Sequence, residues 1–235
     1  MKNLFLIVLT IGLFTACNRE TKNTMTVTGN VKGLKKGTLY LQHIPDSVLV
    51  TVDSLKIEGD GNFTFKTELE SPEIFYLYLN KKDNNDINDR ITFFGEPGTI
   101  TIQTSWNSFD FGANIEGSKS QKKLEEYNKV VSQFSKKSLD YIQARYDPKF
   151  RTDSLAVDSI EKLSNQNVVR EYIYSLNFVM NNPDSYVAPY VALRNAESTN
   201  IKFLDSIYKK LTPEVADSKY GLELKKYMED LKSAK

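Results

Sequence analysis

The period of the hydrophobic and polar positions changes part-way along the chain. In the first half, apolar and polar residues alternate with a period of two, which is typical of half-buried β-strands. Five segments show this alternation, at residues 26–31, 38–42, 62–66, 75–79 and 99–103. Turn chemistry separates them, most clearly at Asp60-Gly61-Asn62, which favours a hairpin. The pattern predicts about eight short strands in an antiparallel β-sandwich or open barrel.

One of these segments has aromatic residues on both of its faces. In the run Phe75-Tyr76-Leu77-Tyr78-Leu79, the phenylalanine and the leucines share one face and the two tyrosines share the other. We expect the first face to lie in the core.

In the second half, apolar residues recur every three or four positions, which is the spacing of one helical face. The stripes that we expect to form the core are Leu124, Tyr127, Val131 and Phe134; Val169, Tyr172, Ile173, Leu176 and Met180; Leu204, Ile207, Tyr208 and Leu211; and Leu224, Tyr227, Met228 and Leu231. The second helix is predicted to begin near Thr152 or Asp153. Asn182-Pro183 ends it, and Asp184 or Ser185 is the expected N-cap of the next helix.

The distribution of glycine gives the same division. Eight of the 11 glycines lie between Gly29 and Gly112, and none lies between Gly117 and Gly221. Glycine suits tight turns and is disfavoured inside helices. We therefore predict an α+β chain, with an antiparallel β-domain at residues 25–116 and an all-helical region at residues 117–235.

The first residues are typical of a targeting signal. The apolar run Leu4 to Phe14 is too short to span a bilayer as a helix and suits the core of a secretory signal. It ends at Ala16-Cys17, which resembles the lipobox of bacterial lipoproteins, although Phe14 stands where leucine is usual. We predict a signal peptide at residues 1–16 and a lipidated tether at residues 17–24. The alternative is an ordinary signal peptide cleaved elsewhere, with Cys17 incidental.

Lipidation would set the location of the protein. Fatty acyl chains such as palmitate on Cys17 would anchor it stably only if there is more than one, because a single chain binds a membrane reversibly. We expect a protein of the cell envelope, lipid-anchored on the periplasmic side or in the outer membrane.

Composition excludes several classes of function. The chain has 31 basic and 30 acidic residues, so it lacks the basic surplus of a nucleic-acid-binding protein. It has one cysteine and one histidine, which excludes an internal disulfide, a Cys-x-x-Cys redox pair, a cysteine-based zinc site and a multi-histidine metal site. No phosphate loop or dinucleotide fingerprint occurs. We expect no cofactor, no metal and no nucleic-acid partner.

A family resemblance rests on strings that occur in order along most of residues 25–231. They are Thr28-Gly29-Asn30-Val31, Gly37-Thr38-Leu39-Tyr40-Leu41, Val52-Asp53-Ser54-Leu55, Gly61-Asn62-Phe63-Thr64-Phe65, Glu96-Pro97-Gly98-Thr99-Ile100, Ile115-Glu116-Gly117-Ser118, Asn182-Pro183-Asp184-Ser185-Tyr186 and Leu211-Thr212-Pro213-Glu214. The chain resembles the N-terminal portion of membrane-anchored thiol–disulfide oxidoreductases of bacterial envelopes. That portion is a β-domain of unknown function followed by helices, and a thioredoxin-like domain usually follows it.

The resemblance implies architecture, location and an accessory role, but no catalytic residue carries over. The thioredoxin-like domain would begin where this sequence ends, and the sequence has no second cysteine. We expect the protein to lack thiol–disulfide activity of its own, because exchange at a dithiol centre needs two thiols.

Four candidate sites have structural alternatives. His43 would have to serve any Ser-His-Asp arrangement, but a structural histidine is the favoured interpretation. The loop at residues 81–89 is rich in oxygen ligands but lacks EF-hand spacing, so a polar hairpin loop is favoured. Asp53 is expected to be a buried acceptor that organises a turn. Trp106, Phe109 and Phe111 would suit a platform for a glycan or peptide, although aromatic residues at strand ends are usually rim packing.

Two classes of function remain. The first is a non-catalytic envelope lipoprotein that binds or scaffolds something, with a separate thioredoxin-like oxidoreductase as the partner that the resemblance suggests. The alternative is an envelope enzyme with an unrecognised carboxylate or serine site.

Overall fold

The computed structural model describes residues 23–81, 90–150 and 153–233. The strands come first: β1 (Thr24–Lys32), β2 (Lys36–His43), β3 (Val50–Glu58), β4 (Asn62–Glu68), β5 (Glu73–Asn80), β6 (Arg90–Gly95), β7 (Gly98–Ser105) and β8 (Asn114–Glu116). The helices follow: α1 (Lys119–Tyr146), α2 (Ser154–Asn181), α3 (Val187–Arg194), α4 (Ile201–Lys210), α5 (Pro213–Ala216) and α6 (Lys219–Ser233). Short 3₁₀ turns lie at Trp106–Ser108 and Ala196–Ser198. The predicted α+β layout, strands before helices, is confirmed.

The strands form two four-stranded sheets. Sheet one has the order β4-β1-β7-β8 and sheet two has the order β3-β2-β5-β6. Buried residues of both sheets, such as Val27 and Ile100 from sheet one and Leu39 and Leu77 from sheet two, belong to one hydrophobic cluster. This shared core makes the β-part a sandwich.

One strand pair departs from the antiparallel expectation. Strand β1 pairs with β7 in parallel, with Val27 opposite Ile100, whereas the other pairs among the described residues are antiparallel. In the sequence, β2 to β6 lie between these two strands, so no hairpin forces β1 and β7 to run in opposite directions. Local alternation carries no information on such a distant pairing, and the sequence pattern therefore missed it.

Gly29 lies at the centre of sheet one, between β4 and β7. It occupies an inward position between the buried Val27 and Val31 and is paired with Phe63 of β4 and Ile102 of β7. A Cβ atom at this position would lie 1.8 Å from the Ile102 carbonyl oxygen and 3.0 Å from the Phe63 ring. Only glycine allows the two neighbouring strands to approach β1 in this way.

Most predicted helix boundaries agree with the structure. The N-cap of α2 is Asp153, whose carboxylate accepts the N–H groups of Leu155 and Ala156, and α2 ends at Asn181, just before the predicted stop at Asn182-Pro183. At α3 the N-cap is Tyr186, one residue after the predicted Ser185. The Ser185 hydroxyl nevertheless accepts the Val187 N–H at 3.3 Å, so it satisfies one of the donors at the helix start.

The predicted buried face of α2 is wrong in part: Leu176 and Met180 pack against a hydrophobic cluster as expected, but Val169 and Ile173 do not lie in a core. Val169 and Ile173 are about half exposed, at 54% and 50%, whereas Asn167 and Ser175 are buried against α1. The Asn167 amide donates to the Phe134 carbonyl, and the Tyr127 and Ser175 hydroxyls are hydrogen-bonded at 2.9 Å. Between α1 and α2, polar side chains with hydrogen-bond partners therefore take the buried positions that hydrophobic periodicity had assigned to Val169 and Ile173.

A second core joins the helices to the outer face of sheet two. Ile74 of β5 and Phe94 of β6 point away from the sandwich interior and pack among residues of α1, α2, α3 and α6. The Ser118 hydroxyl donates to the Phe94 carbonyl, and the Gln121 side chain accepts the Phe94 N–H. Helix α1 thereby covers the open edge of β6, which would otherwise present unpaired backbone groups.

Helices α1 and α2 are each 28 residues long, and they pack against each other as a helical hairpin. At 1.5 Å per residue each is about 42 Å long. None of the helices among the described residues is long and apolar enough to cross a membrane.

Candidate functional site: a tyrosine and arginine face on sheet two

Some residues singled out by the sequence lie outside the described part of the chain. They are the signal peptide at residues 1–16, Cys17, the tether except for Asn23 and Thr24, and residues 82–89 of the oxygen-rich loop. The lipidation of Cys17 therefore stays a prediction. Among the described residues, no group of three or more histidine, cysteine, aspartate or glutamate side chains is placed to hold a metal ion.

His43 contacts a charged cluster at the boundary between the sandwich and the helices. Its Nδ1 lies 3.1 Å from Glu73 Oε1, and its ring stacks on Phe75. The other Glu73 oxygen accepts a hydrogen bond from the Lys219 ammonium of α6, which also donates to the Ile44 carbonyl. Sequence reasoning missed Glu73 and Lys219, because 146 positions separate them.

Neighbouring groups complete this boundary cluster. The Ile74 N–H donates to the Tyr220 hydroxyl at 3.0 Å, and the Lys219 N–H donates to the Ser71 hydroxyl at 3.0 Å. Burial raises the pKa of the Tyr220 hydroxyl. The charged and polar groups of the cluster thus satisfy one another, and their arrangement fastens α6 to the start of β5.

The structure differs from expectation at Asp53, and it does not bring the three aromatic residues together. Asp53 lies on the edge strand β3, where its Oδ1 accepts the N–H of Ser54 in an exposed hydrogen bond, so it is not a buried organiser of a turn. The aromatic residues after β7 do not form one platform. Phe109 is buried in the sandwich core, Phe111 is 95% exposed, and Trp106 lies under the Lys81 ammonium at 5.4 Å.

A cleft of about 550 Å³ lies between the sandwich and the helices. Its carboxylates are partly engaged: Glu96 accepts the backbone N–H groups of Lys119 and Ser120 at the start of α1, and Glu214 accepts the Tyr186 hydroxyl at 2.6 Å. Burial, the hydrogen bond and the charges of Glu214 and Glu96 raise the pKa of Tyr186 to about 12. The Glu96 contacts favour a structural role, because a carboxylate at a helix N-terminus stabilises the helix.

The outer face of sheet two carries two rows of side chains that run across all four strands. The first row is Ser54, Tyr40, Tyr78 and Arg90, in the order β3, β2, β5, β6. The second row is Thr51, Gln42, Tyr76 and Thr92 in the same order. The leucines that alternate with them on β2 and β5 are buried in the sandwich. The rows form what we call the tyrosine–arginine face.

The aromatic rings of this face are held in contact with each other and with one cation. The Tyr40 and Tyr78 rings are stacked, with centroids 5.9 Å apart. The Arg90 guanidinium lies 5.4 Å from the Tyr76 ring and 5.6 Å from the Tyr78 ring. Cation–π contacts and cross-strand aromatic pairs of this kind fix the side chains before any partner binds.

Helix α3 borders the face on the side of Tyr76. Tyr76 packs against the second core, as does Tyr190 of α3, and Arg194 donates a hydrogen bond to the Tyr190 hydroxyl at 3.1 Å. Burial raises the pKa of Tyr76, so its hydroxyl stays protonated at neutral pH. The face therefore presents rigid rings, hydroxyl groups and guanidinium groups, which can stack on and hydrogen-bond a bound molecule.

The alternation in residues 75–79 placed Tyr76 and Tyr78 on the face opposite Phe75, as observed. Tyr40 and Arg90 were missed, because their positions beside these tyrosines depend on strand order. Strand order in turn depends on contacts distant in sequence.

Comparison with known protein families bears on the sandwich. A family model described as "Domain of unknown function (DUF4369)" matches residues 25–124. The matched segment contains nearly the whole sandwich and the first turns of α1, so it includes the strands of the tyrosine–arginine face and the Glu96 contacts. No curated protein and no solved structure matches the chain.

Proposed function

We propose that this protein is a non-catalytic, lipid-anchored protein of the cell envelope that binds a protein partner through the tyrosine–arginine face. The observation that supports this most is the register of Tyr40, Tyr78 and Arg90 across sheet two. Tyrosine and arginine are enriched at the energetic centres of protein interfaces. Rings that are already stacked lose little conformational freedom on binding.

The partner that we propose is a thioredoxin-like oxidoreductase on a separate chain. The support is the sequence resemblance to envelope proteins in which a similar portion precedes such a domain. In this proposal the protein holds or orients the redox partner near the membrane and performs no exchange itself. The polar groups of the boundary cluster satisfy one another, which favours this role over the alternative of an unrecognised carboxylate or serine enzyme.

Photo-crosslinking in cells tests the binding face. A photoreactive phenylalanine analogue in place of Tyr78 should crosslink to a thioredoxin-like protein, whereas the same analogue in place of Thr64, exposed on sheet one, should not. With the captured partner purified, Tyr78→Ala with Arg90→Ala should weaken binding by about 100-fold, the range of a strong interface centre. Lys66→Ala on sheet one is the matched control. Equal crosslinking from both sheets would exclude the face as the interface.

Cell fractionation tests the anchor separately. Replacing Cys17 with serine removes the thiol that acylation requires, so the protein should leave the membrane fraction or accumulate as uncleaved precursor. Ser206→Ala, a change of similar size on the exposed side of α4, should fractionate like the wild type. If the Cys17→Ser protein matured and stayed with the membrane, the lipoprotein assignment would be wrong.

A further inference from the structure

Exposed apolar side chains lie on the outer half of α1, away from the cores. Leu139, Ile142 and Tyr146 are 59%, 52% and 75% exposed, and their spacing of three and four places them within an arc of about 60° on one helical face. Phe150, which is 37% exposed, follows in the turn after the helix. We call Leu139, Ile142 and Tyr146 the α1 stripe. An exposed apolar stripe at helical spacing is typical of a surface that another molecule covers.

The two charged residues of α1 that lie nearest to the α1 stripe on the helix surface are both basic. Lys136 and Arg145 lie on either side of it, each about 90° from its centre, and Asp140 and Asp147 lie farther round the helix. Neither Lys136 nor Arg145 has an ion-pair partner among the described residues. An apolar stripe flanked by free cations complements the boundary between anionic lipid headgroups and acyl chains.

The position of the anchor allows the stripe to reach such a surface. Asn23 and Lys119 line the same cleft, so the chain enters the fold near the start of α1. Five residues lie between Cys17 and Asn23, so the six residue steps from one to the other span at most about 22 Å. The stripe begins about 30 Å along α1. A hairpin that lies along the membrane places it against the bilayer, whereas a hairpin pointing away from the membrane does not.

From these observations we infer that the α1 stripe lies on the surface of an anionic phospholipid bilayer, so that the α1–α2 hairpin rests along the membrane. This inference rests on the proposed anchoring at Cys17 and adds a second, non-covalent contact. The sheet-two face remains a separate surface for the protein partner.

Site-specific fluorescence in vesicles tests the inference. A single cysteine at position 142 or, as the matched control, at Lys137 on the opposite and exposed side of α1, is labelled with an environment-sensitive nitrobenzoxadiazole dye. The acylated full-length protein is reconstituted in vesicles of phosphatidylglycerol and phosphatidylethanolamine. Quenching by dithionite should be at least about threefold slower at position 142 than at 137, because the apolar face enters the interface.

Two further experiments test the contribution of charge: one removes the cations beside the α1 stripe, and the other removes the anionic lipid. Each cation near an anionic surface strengthens binding about fivefold, so Lys136→Gln with Arg145→Gln should shift the equilibrium toward the undocked hairpin about 30-fold. Vesicles of phosphatidylcholine alone should give little protection at position 142. Circular dichroism checks that these exposed substitutions leave the helices intact.

Each contrary outcome has a distinct meaning. Equal quenching at both positions on vesicle-bound protein overturns the inference, and so does protection that is the same in phosphatidylcholine. Protection at position 142 without lipid would overturn it too, because a second copy or another protein would then cover the stripe. Dye labelling of the parent protein, in which Cys17 is the sole cysteine, would show a free thiol and so a failure of the anchoring itself.

Discussion

Replacing Gly29 with alanine should destabilise the protein by at least about 3 kcal/mol, the upper range for overpacking a filled core. The added methyl group would lie 1.8 Å from the Ile102 carbonyl oxygen, and that atom belongs to the backbone of β7. Relief would therefore require β7 to separate from β1 at the centre of sheet one. Urea denaturation followed by circular dichroism measures the loss.

Gly59→Ala is the matched control for this substitution. Gly59 has a φ of +140°, but no atom would lie within 4 Å of a methyl group added there, so the cost is backbone strain alone. Strain of this kind costs about 1–3 kcal/mol. If Gly29→Ala cost no more than Gly59→Ala, the close approach of β7 to Gly29 would be incorrect.

The second large effect is expected at the boundary cluster. Lys219→Met should lower the free energy of unfolding by about 3 kcal/mol, because it leaves the Glu73 carboxylate buried without its main cation. Glu73 is 8% exposed, and its oxygens contact only His43 and Lys219 among the described side chains. Thermal and urea unfolding of the variant measure the change.

The same substitution in an exposed ion pair shows how much of the loss at Lys219 comes from the burial of its partner Glu73. Lys209 forms an ion pair with Asp205 on α4, and its side chain is 73% exposed. Lys209→Met should change stability by less than about 1 kcal/mol, as is usual for exposed pairs. Adding Glu73→Gln to Lys219→Met should recover part of the loss, since no buried charge is then unpaired. Two equal losses from Lys219→Met and Lys209→Met would contradict the assigned role of the cluster.

The sequence predicted those features that depend on neighbouring residues. Alternation identified β1, β2, β4, β5 and β7, and the Asp153 cap marked the start of α2. Periodicity assigned Val169 and Ile173 of α2 to the core incorrectly, because hydropathy cannot anticipate that Asn167 and Ser175 are satisfied inside a helix pair. Hydrogen bonding to a distant helix made polar residues the better choice for that interface.

In the candidate site, too, the sequence predicted only the features that depend on neighbouring residues. Tyr76 and Tyr78 were assigned to the correct face by a period of two, but Arg90 lies beside them only because β6 pairs with β5. Lys219 reaches Glu73 from a helix 146 positions away. Such contacts follow from the packing of whole elements, and a single sequence carries no local signal for them.

The bonds between α6 and the sandwich bear on the order in which the protein is built. The hydroxyl partner of the Ile74 N–H is on Tyr220, and one partner of the Ile44 carbonyl is the Lys219 ammonium. During synthesis, the strands of sheet two therefore emerge long before the α6 residues that complete their hydrogen bonds. Contacts of such long range close slowly, and an incomplete sheet edge invites pairing with other chains. A newly made chain is therefore expected to pass through an aggregation-prone stage, which ends when α6 docks.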